Sequence, residues 1–121
     1  MFAGARKLDN LAVIVDNNGL QIDGTMEEVC SPYPIGAKFA AFNFHVIEVS
    51  DGNDFRQLKA AFDEAKTVKG KPSAIVLRTV KGKGVSFMEN QVGWHGTAPN
   101  DEQYEAAMAE LVKAGEALCQ E

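Results

Sequence analysis

Leu11-Ala12-Val13-Ile14-Val15-Asp16-Asn17-Asn18-Gly19-Leu20-Gln21-Ile22-Asp23-Gly24 is the stretch on which the reading of this chain turns. It opens as five apolar residues and changes abruptly into oxygen-bearing side chains and glycines. A short apolar run with β-branched content reads as a buried strand. The polar residues then emerge at the strand's C-terminal end, which is where open parallel α/β sheets bind ligands. The stretch is therefore read as holding part of a divalent metal and its phosphate ligand.

Ligand type supports that reading. Hard cations such as Mg²⁺ or Ca²⁺ take oxygen from carboxylates, Asn side chains and backbone carbonyls. The side chain of Asn18 and a carbonyl two residues later can reach one ion from a tight turn, which Gly19 and Gly24 permit. A plain Asx-type turn at the end of a strand accounts for the same composition, and both readings stand at this point. A calcium EF-hand does not fit. Asp16, Asn18 and Glu27 fall at its first, third and twelfth positions, but Leu20 takes the fifth and Gln21 the place of the required glycine.

Outward from this stretch the chain alternates. Phe2, Ala3, Ala5, Arg6 and Leu8 suit a helix, yet Met1 to Leu8 is marginal alone and shows no N-cap. It reads as the last turns of a helix. Thr25 to Tyr33 is polar and irregular. Pro34 suits a helix start, and Ile35, Phe39 and Phe42 follow at helical spacing. A second strand is expected near Phe44 to Val49. Asp51 to Asp54 is a turn able to cap the next helix. There Phe55, Leu58, Phe62 and Ala65 form one apolar stripe, with Gly70 as the stop. Ala74 to Leu77 is a third strand, apolar without a break and so buried on both faces. Val80 to Asn100 has no sustained period, and loops of that length are usually functional. Asn100 and Gln103 form a capping box for a last helix, whose buried face is expected at Tyr104, Met108, Leu111 and Leu118. Strand–helix alternation implies a three-layer α/β/α fold with a parallel sheet.

Composition narrows the class. The 121 residues allow one domain with a modest core; 45% are hydrophobic and 24% charged, as in ordinary globular domains. The formal net charge of −5 argues against nucleic acid as a partner. No run approaches the roughly 20 apolar residues of a membrane span, and the N-terminus lacks a signal-peptide core. Cys30 and Cys119 lack metal-ligand spacing and read as reduced thiols of a cytosolic protein.

Two later motifs can carry chemistry. Lys81-Gly82-Lys83-Gly84 offers cations and backbone N–H groups to a phosphate, without the spacing of a Walker A loop. Trp94-His95-Gly96 sets an imidazole in the long loop, suited to proton transfer or anion contact. On spacing alone a solvated surface turn is the favoured account of Lys81 and Lys83, and a backbone-bonded structural histidine accounts for His95 equally well. His45 reads as structural or exposed.

Together these residues resemble the thiamine-diphosphate-binding domain of transketolase, most closely the N-terminal subunit of two-chain transketolases. Lys7 to Leu11 followed by Val15 to Gly24 resembles the second half of the family's cofactor motif. Thr79 to Gly84 and Trp94 to Gly96 resemble its two later signatures, in the same order. The Gln-Ile-Asp-Gly form separates transketolase from deoxyxylulose-phosphate synthases and 2-oxoacid dehydrogenases. The resemblance implies that Asn18 gives a side-chain oxygen and Leu20 a carbonyl to Mg²⁺ (or Ca²⁺), bridged to the cofactor diphosphate. It implies that Gly19, Lys81 and His95 lie at the cofactor, with His95 also serving catalysis at the substrate.

The implied reaction moves a two-carbon ketol unit from a ketose phosphate to an aldose phosphate, in cytoplasmic carbohydrate metabolism of the pentose phosphate type. The family's Gly-Asp-Gly half-motif and its metal-binding Asp have no counterpart before Asn17. Residues 1–121 are therefore expected to be a single partial domain, truncated at its N-terminus and inactive alone. The expected partners are sugar phosphates and a transketolase C-terminal subunit or second protomer, in a homo- or hetero-oligomer. A non-catalytic interaction module that keeps the fold is the alternative, and a general Mg²⁺/phosphate-binding domain a third.

Overall fold

A computed structural model describes residues 1–119. Its centre is a three-stranded parallel sheet of β1 (Ala12–Asn17), β4 (His45–Val49) and β5 (Ser73–Arg78), in the order β1-β5-β4. The last strand in sequence thus lies in the middle. Leu20–Gln21 (β2) and Gly24–Thr25 (β3) make a separate antiparallel hairpin. The helices are α1 (Phe2–Ala5), α2 (Met26–Val29), α3 (Ile35–Ala41), α4 (Phe55–Thr67) and α5 (Asp101–Leu118).

Register explains the layers. Ile14, Ile75 and Ile47 form one cross-strand row, and Asp16, Leu77 and Val49 another on the same face. That face meets α4: Ile47, Val49, Ile75 and Leu77 cluster with Ala61, and Leu58, Phe62 and Ala65 pack against them. The alternate rows, such as Val13–Ala74–Val46, point to the other face, where Gly36 of α3 lies against Val46 and Glu48. The chain runs from β1 out to β4 and back to β5. Reversing the direction of travel while keeping one crossover hand puts α3 and α4 on opposite faces. The three-layer α/β/α expectation is met. No helix among the described residues is long and apolar enough to cross a membrane.

β5 is buried on both faces through Leu77, as its unbroken apolar run predicts. The reading of Leu11 to Val15 as a buried strand is corrected. The strand begins at Ala12 and lies at the sheet edge, where every second residue is exposed, and Ile14 is 50% exposed. Hydropathy states what a strand would bury but not whether a helix lies over it.

Other boundaries shift for local reasons. The first helix is only Phe2–Ala5, followed by turns. Asp54 caps α4 by accepting from the Arg56 N–H at 2.8 Å. That helix ends at Thr67, before Gly70, whose own N–H donates to Asp9 (3.0 Å). Phe55, the first residue of α4, lies outside the buried stripe at 85% exposure. The capping box of Asn100 and Gln103 forms on both sides, at 2.9 Å each. The expected buried face of α5 is not buried: Tyr104, Met108, Leu111 and Leu118 are exposed, and Ala107 alone is enclosed. The segment after Gly24 is irregular only from Cys30 to Tyr33. Thr25 and Glu28 build a capping box for α2, a T-x-x-E signal present in the sequence.

Candidate functional site

At the carboxyl end of β1 the chain turns at Asn18 and Gly19 into the β2–β3 hairpin. Asn18 Oδ1 accepts the Leu20 N–H at 3.0 Å, so the Asx-type turn is present. A carboxamide oxygen has two acceptor sites, and this bond leaves one. Gly19 has φ +76°, a region where a side chain would add strain, and its carbonyl accepts the Met26 N–H at 3.0 Å. That last bond flanks the Leu20–Thr25 pair and makes it the non-hydrogen-bonded kind, while the Thr25 N–H goes to Glu28. The Leu20 carbonyl therefore points away from Thr25, out of the ladder.

The second side comes from the exit of β5. Lys81 begins a closed loop, in which its carbonyl accepts the Asn90 N–H at 3.0 Å. The two lysines of the motif diverge. Lys83 lies 3.5 Å from Glu89, whose carboxyl is held below the usual glutamate range by the Gly84 N–H, with help from Lys83. Lys81 turns instead to the cavity described below.

The third side is His95, at the end of a 3₁₀ turn over Val92–Trp94. Its N–H donates to Val92 at 2.9 Å. Trp94 anchors the turn: its indole N–H donates to the Phe87 carbonyl (3.1 Å), and the two rings stack at a tilt, 5.5 Å apart. Ser86 in turn donates its N–H and hydroxyl to Glu110 of α5, both at 2.6 Å. These bonds hold the Glu110 carboxyl below its usual range. The aperiodic segment is thus docked on α5 by paired side chains rather than by a helix or strand of its own.

These three sides close on one cavity of about 270 Å³, lined by Asn18, Leu20, Gln21, Ile22, Lys81 and His95. Every expected site residue except Gly19 lines it, and Gly19 is the turn between two that do. Gln21 and Ile22 are additions. Their placement follows from the hairpin, which Asp23-Gly24 signals only weakly. His45 is elsewhere, 2.7 Å from Glu64 of α4. Cys30 and Cys119 are exposed free thiols.

The lining offers two hard oxygen donors, an amide oxygen and an outward carbonyl, beside an ammonium and an imidazole that can bind an anion. It suits a polyphosphate with a hard divalent ion. Among the described residues no group of three or more His, Cys, Asp or Glu could hold a metal. Softer, all-side-chain metal centres are therefore a poorer match than an ion shared with a phosphate. A larger crevice of about 390 Å³, under α3, contains Glu48 and Arg78 but neither Lys81 nor His95. Its carboxylate would repel a diphosphate.

Comparison with known proteins agrees with this chemistry. Residues 1–114 match the family model described as transketolase, thiamine diphosphate binding domain. The 6-deoxy-6-sulfo-D-fructose transketolase subunit SqwG of a Clostridium species is 43% identical over 115 residues, covering 95% of this chain and 42% of that protein. One of the apulose-4-phosphate transketolase subunits of Phocaeicola vulgatus is 40% identical over 112 residues, 93% of this chain and 40% of the relative. The chain thus spans about two fifths of the length of these curated relatives. Among solved structures, transketolase from Campylobacter jejuni superposes with a TM-score of 0.82 at 29% identity, over 91% of this chain and 17% of that one. Transketolase from Pichia stipitis in complex with sedoheptulose-7-phosphate gives 0.72 at 27% identity, over 98% and 21%. A family match over residues 1–114, nearly the whole of this chain, is decisive: this chain belongs to the transketolase family, in its thiamine-diphosphate-binding domain.

Proposed function

We propose that this chain forms part of a transketolase active centre and that residues 1–121 are one partial cofactor-binding domain. The complete enzyme transfers a two-carbon ketol unit from a ketose phosphate to an aldose phosphate. One observation carries this reading. Residues from three separate motifs, at 18 and 20–22, at 81 and at 95, line a single cavity.

In this reading Asn18, through its second amide lone pair, and Leu20, through its outward carbonyl, would hold Mg²⁺ (or Ca²⁺). Gly19, with its positive φ, supplies the turn between them. Lys81 neutralises diphosphate charge. His95 bonds the diphosphate or a ketose hydroxyl and moves a proton at that hydroxyl. Gln21 and Ile22 complete the lining of the cavity beside Leu20. Bound thiamine diphosphate would supply the carbanion-stabilising chemistry, while the protein contributes position and electrostatics. Two oxygens do not complete the six-coordinate shell that Mg²⁺ requires. The remaining ligands would come from the cofactor phosphate and water. The partner is a transketolase C-terminal subunit or a second protomer, in a cytoplasmic oligomer acting in carbohydrate metabolism of the pentose phosphate type.

Calorimetry with thiamine diphosphate and Mg²⁺, with and without that partner, tests the reading. Binding is expected only in the assembled protein, with no turnover by the chain alone. Turnover by the chain alone, given only sugars, cofactor and metal, would contradict it. The exposed apolar residues Ile14, Tyr104, Met108 and Leu118 favour a second reading, a non-catalytic interaction module. Partner association without any cofactor binding would select that one.

A further inference from the structure

Lys81 is useful only if it stands against the Asn18–Leu20 turn, yet the sheet ladder ends at Arg78, three residues before it. The intervening residues are held by both flanking strands. From the β1 side, the Thr79 N–H donates to the Asn17 carbonyl at 3.3 Å, and the Thr79 hydroxyl donates to the Asp16 carboxylate. From the β4 side, the Gly52 N–H donates to the Arg78 carbonyl at 2.6 Å, and Asn53 Oδ1 accepts the Val80 N–H at 2.9 Å. The Asn53 backbone is itself set by Asp51, which accepts its N–H at 2.9 Å. Gly52 makes this approach possible. A Cβ there would sit 2.7 Å from Leu77 Cβ and 2.8 Å from Thr79 Cγ2, inside contact distance.

We propose that Asp16, Thr79 and Asn53 are positioning residues, a clamp that sets Lys81 opposite the Asn18–Leu20 turn. None of the three lines the cavity, so they act through Lys81 and not on a ligand. The placement matters because a misplacement of about 1 Å at a reacting or binding group costs up to about a hundredfold. Asp16 serves both sides at once. It lies on β1 two residues before Asn18 and bonds Thr79, just past the end of β5 and two residues before Lys81, so one side chain fixes the separation of the cavity's two walls. The inference rests on the proposed role of Lys81, and its test is built to fail separately from that role.

The first measurement needs no cofactor. In the isotopically labelled chain, magnetisation transfer between Lys81 and the Ile22 methyls reports the distance across the cavity. Thr79→Val and Asn53→Ala are expected to weaken it. Thr79→Ser and Asn53→Asp, which keep the hydroxyl and the acceptor oxygen, are expected to preserve it. The second uses the chain assembled with its partner subunit, with Trp94 emission reporting thiamine diphosphate binding in Mg²⁺. Thr79→Val and Asn53→Ala should each raise the dissociation constant about tenfold, and the effect should vanish in a Lys81→Ala background, since residues acting as one unit are non-additive. A lowered melting temperature with unchanged transfer and unchanged affinity would overturn the clamp and leave only a brace for the sheet end. An effect undiminished in the Lys81→Ala background would overturn it too. Wild-type assembly that binds no cofactor, with the transfer changes still present, would sink the proposed function and leave the clamp standing.

Discussion

Two strands of this protein read almost alike and lead different lives. Leu11-Ala12-Val13-Ile14-Val15 and Ala74-Ile75-Val76-Leu77 are both short, apolar and β-branched. They pair in register, Ile14 beside Ile75. Yet Ile75 has no exposure and Ile14 is half exposed. β5 has a strand on each side and a helix over each face, whereas β1 has one strand and no close cover on the α4 face. An apolar run therefore records a demand for cover, and topology decides where it is met.

The largest effect should come from testing that contrast directly. Ile75→Ala is expected to cost about 3 kcal/mol or more, the transfer loss plus an unfilled cavity. Ile14→Ala should cost under about 1 kcal/mol in this chain, because half the side chain is already in water. Urea midpoints of the two variants decide it, and equal losses would break the contrast. Next in size is Gly52→Ala, at the exit of β5, where the new Cβ must displace Leu77 or Thr79; about 1–3 kcal/mol is expected. A comparable exposed position, Gly93→Ala, meets nothing within 4 Å and should change little.

How far the sequence could be read follows the same division. The capping box at Asn100, the cap at Asp54, the double burial of β5 and the alternation into three layers are local or near-local signals, and each is present as read. The three motifs at the strand ends were legible as residue types. That Asn18, Lys81 and His95 share one cavity is a consequence of β5 lying next to β1, a non-local fact no window reveals. The α2 cap at Thr25 and Glu28 was available as a pattern and was obscured by the polar composition around it. The Ser86–Glu110 dock could not be read, since nothing local links a serine in a loop to a glutamate on a distant helix. The α5 stripe at Tyr104, Met108 and Leu111 has the right period, but the face is uncovered, as at Ile14.

Smaller effects sharpen the picture around α5. Asn100→Ala should cost about 1 kcal/mol through loss of the N-cap, measured as a lower melting temperature, with Asn100→Ser nearly neutral. The smallest is a pH effect. Ser86 lowers the Glu110 carboxyl below its usual value of 4.5. A depressed carboxyl contributes stability that is fully present above 4.5 and lost as pH falls through the lowered folded-state value. The stability difference between the protein and Ser86→Ala should accordingly be constant from neutral pH down to 4.5 and shrink below it. A difference that grows on acidification would reverse the assigned sign. Glu110 is still partly open to solvent, so added salt should also weaken any charge component.

The most direct test lies at the Asn18–Leu20 turn. Thiamine diphosphate is titrated calorimetrically in Mg²⁺ into the chain assembled with its partner, both as the wild type and as Asn18→Ala. The variant is expected to bind at least about tenfold more weakly, because a metal ligand is lost, and the deficit is expected to narrow when Mg²⁺ is withdrawn from both. An unchanged affinity in Asn18→Ala would remove this turn from the metal site and contradict the assignment.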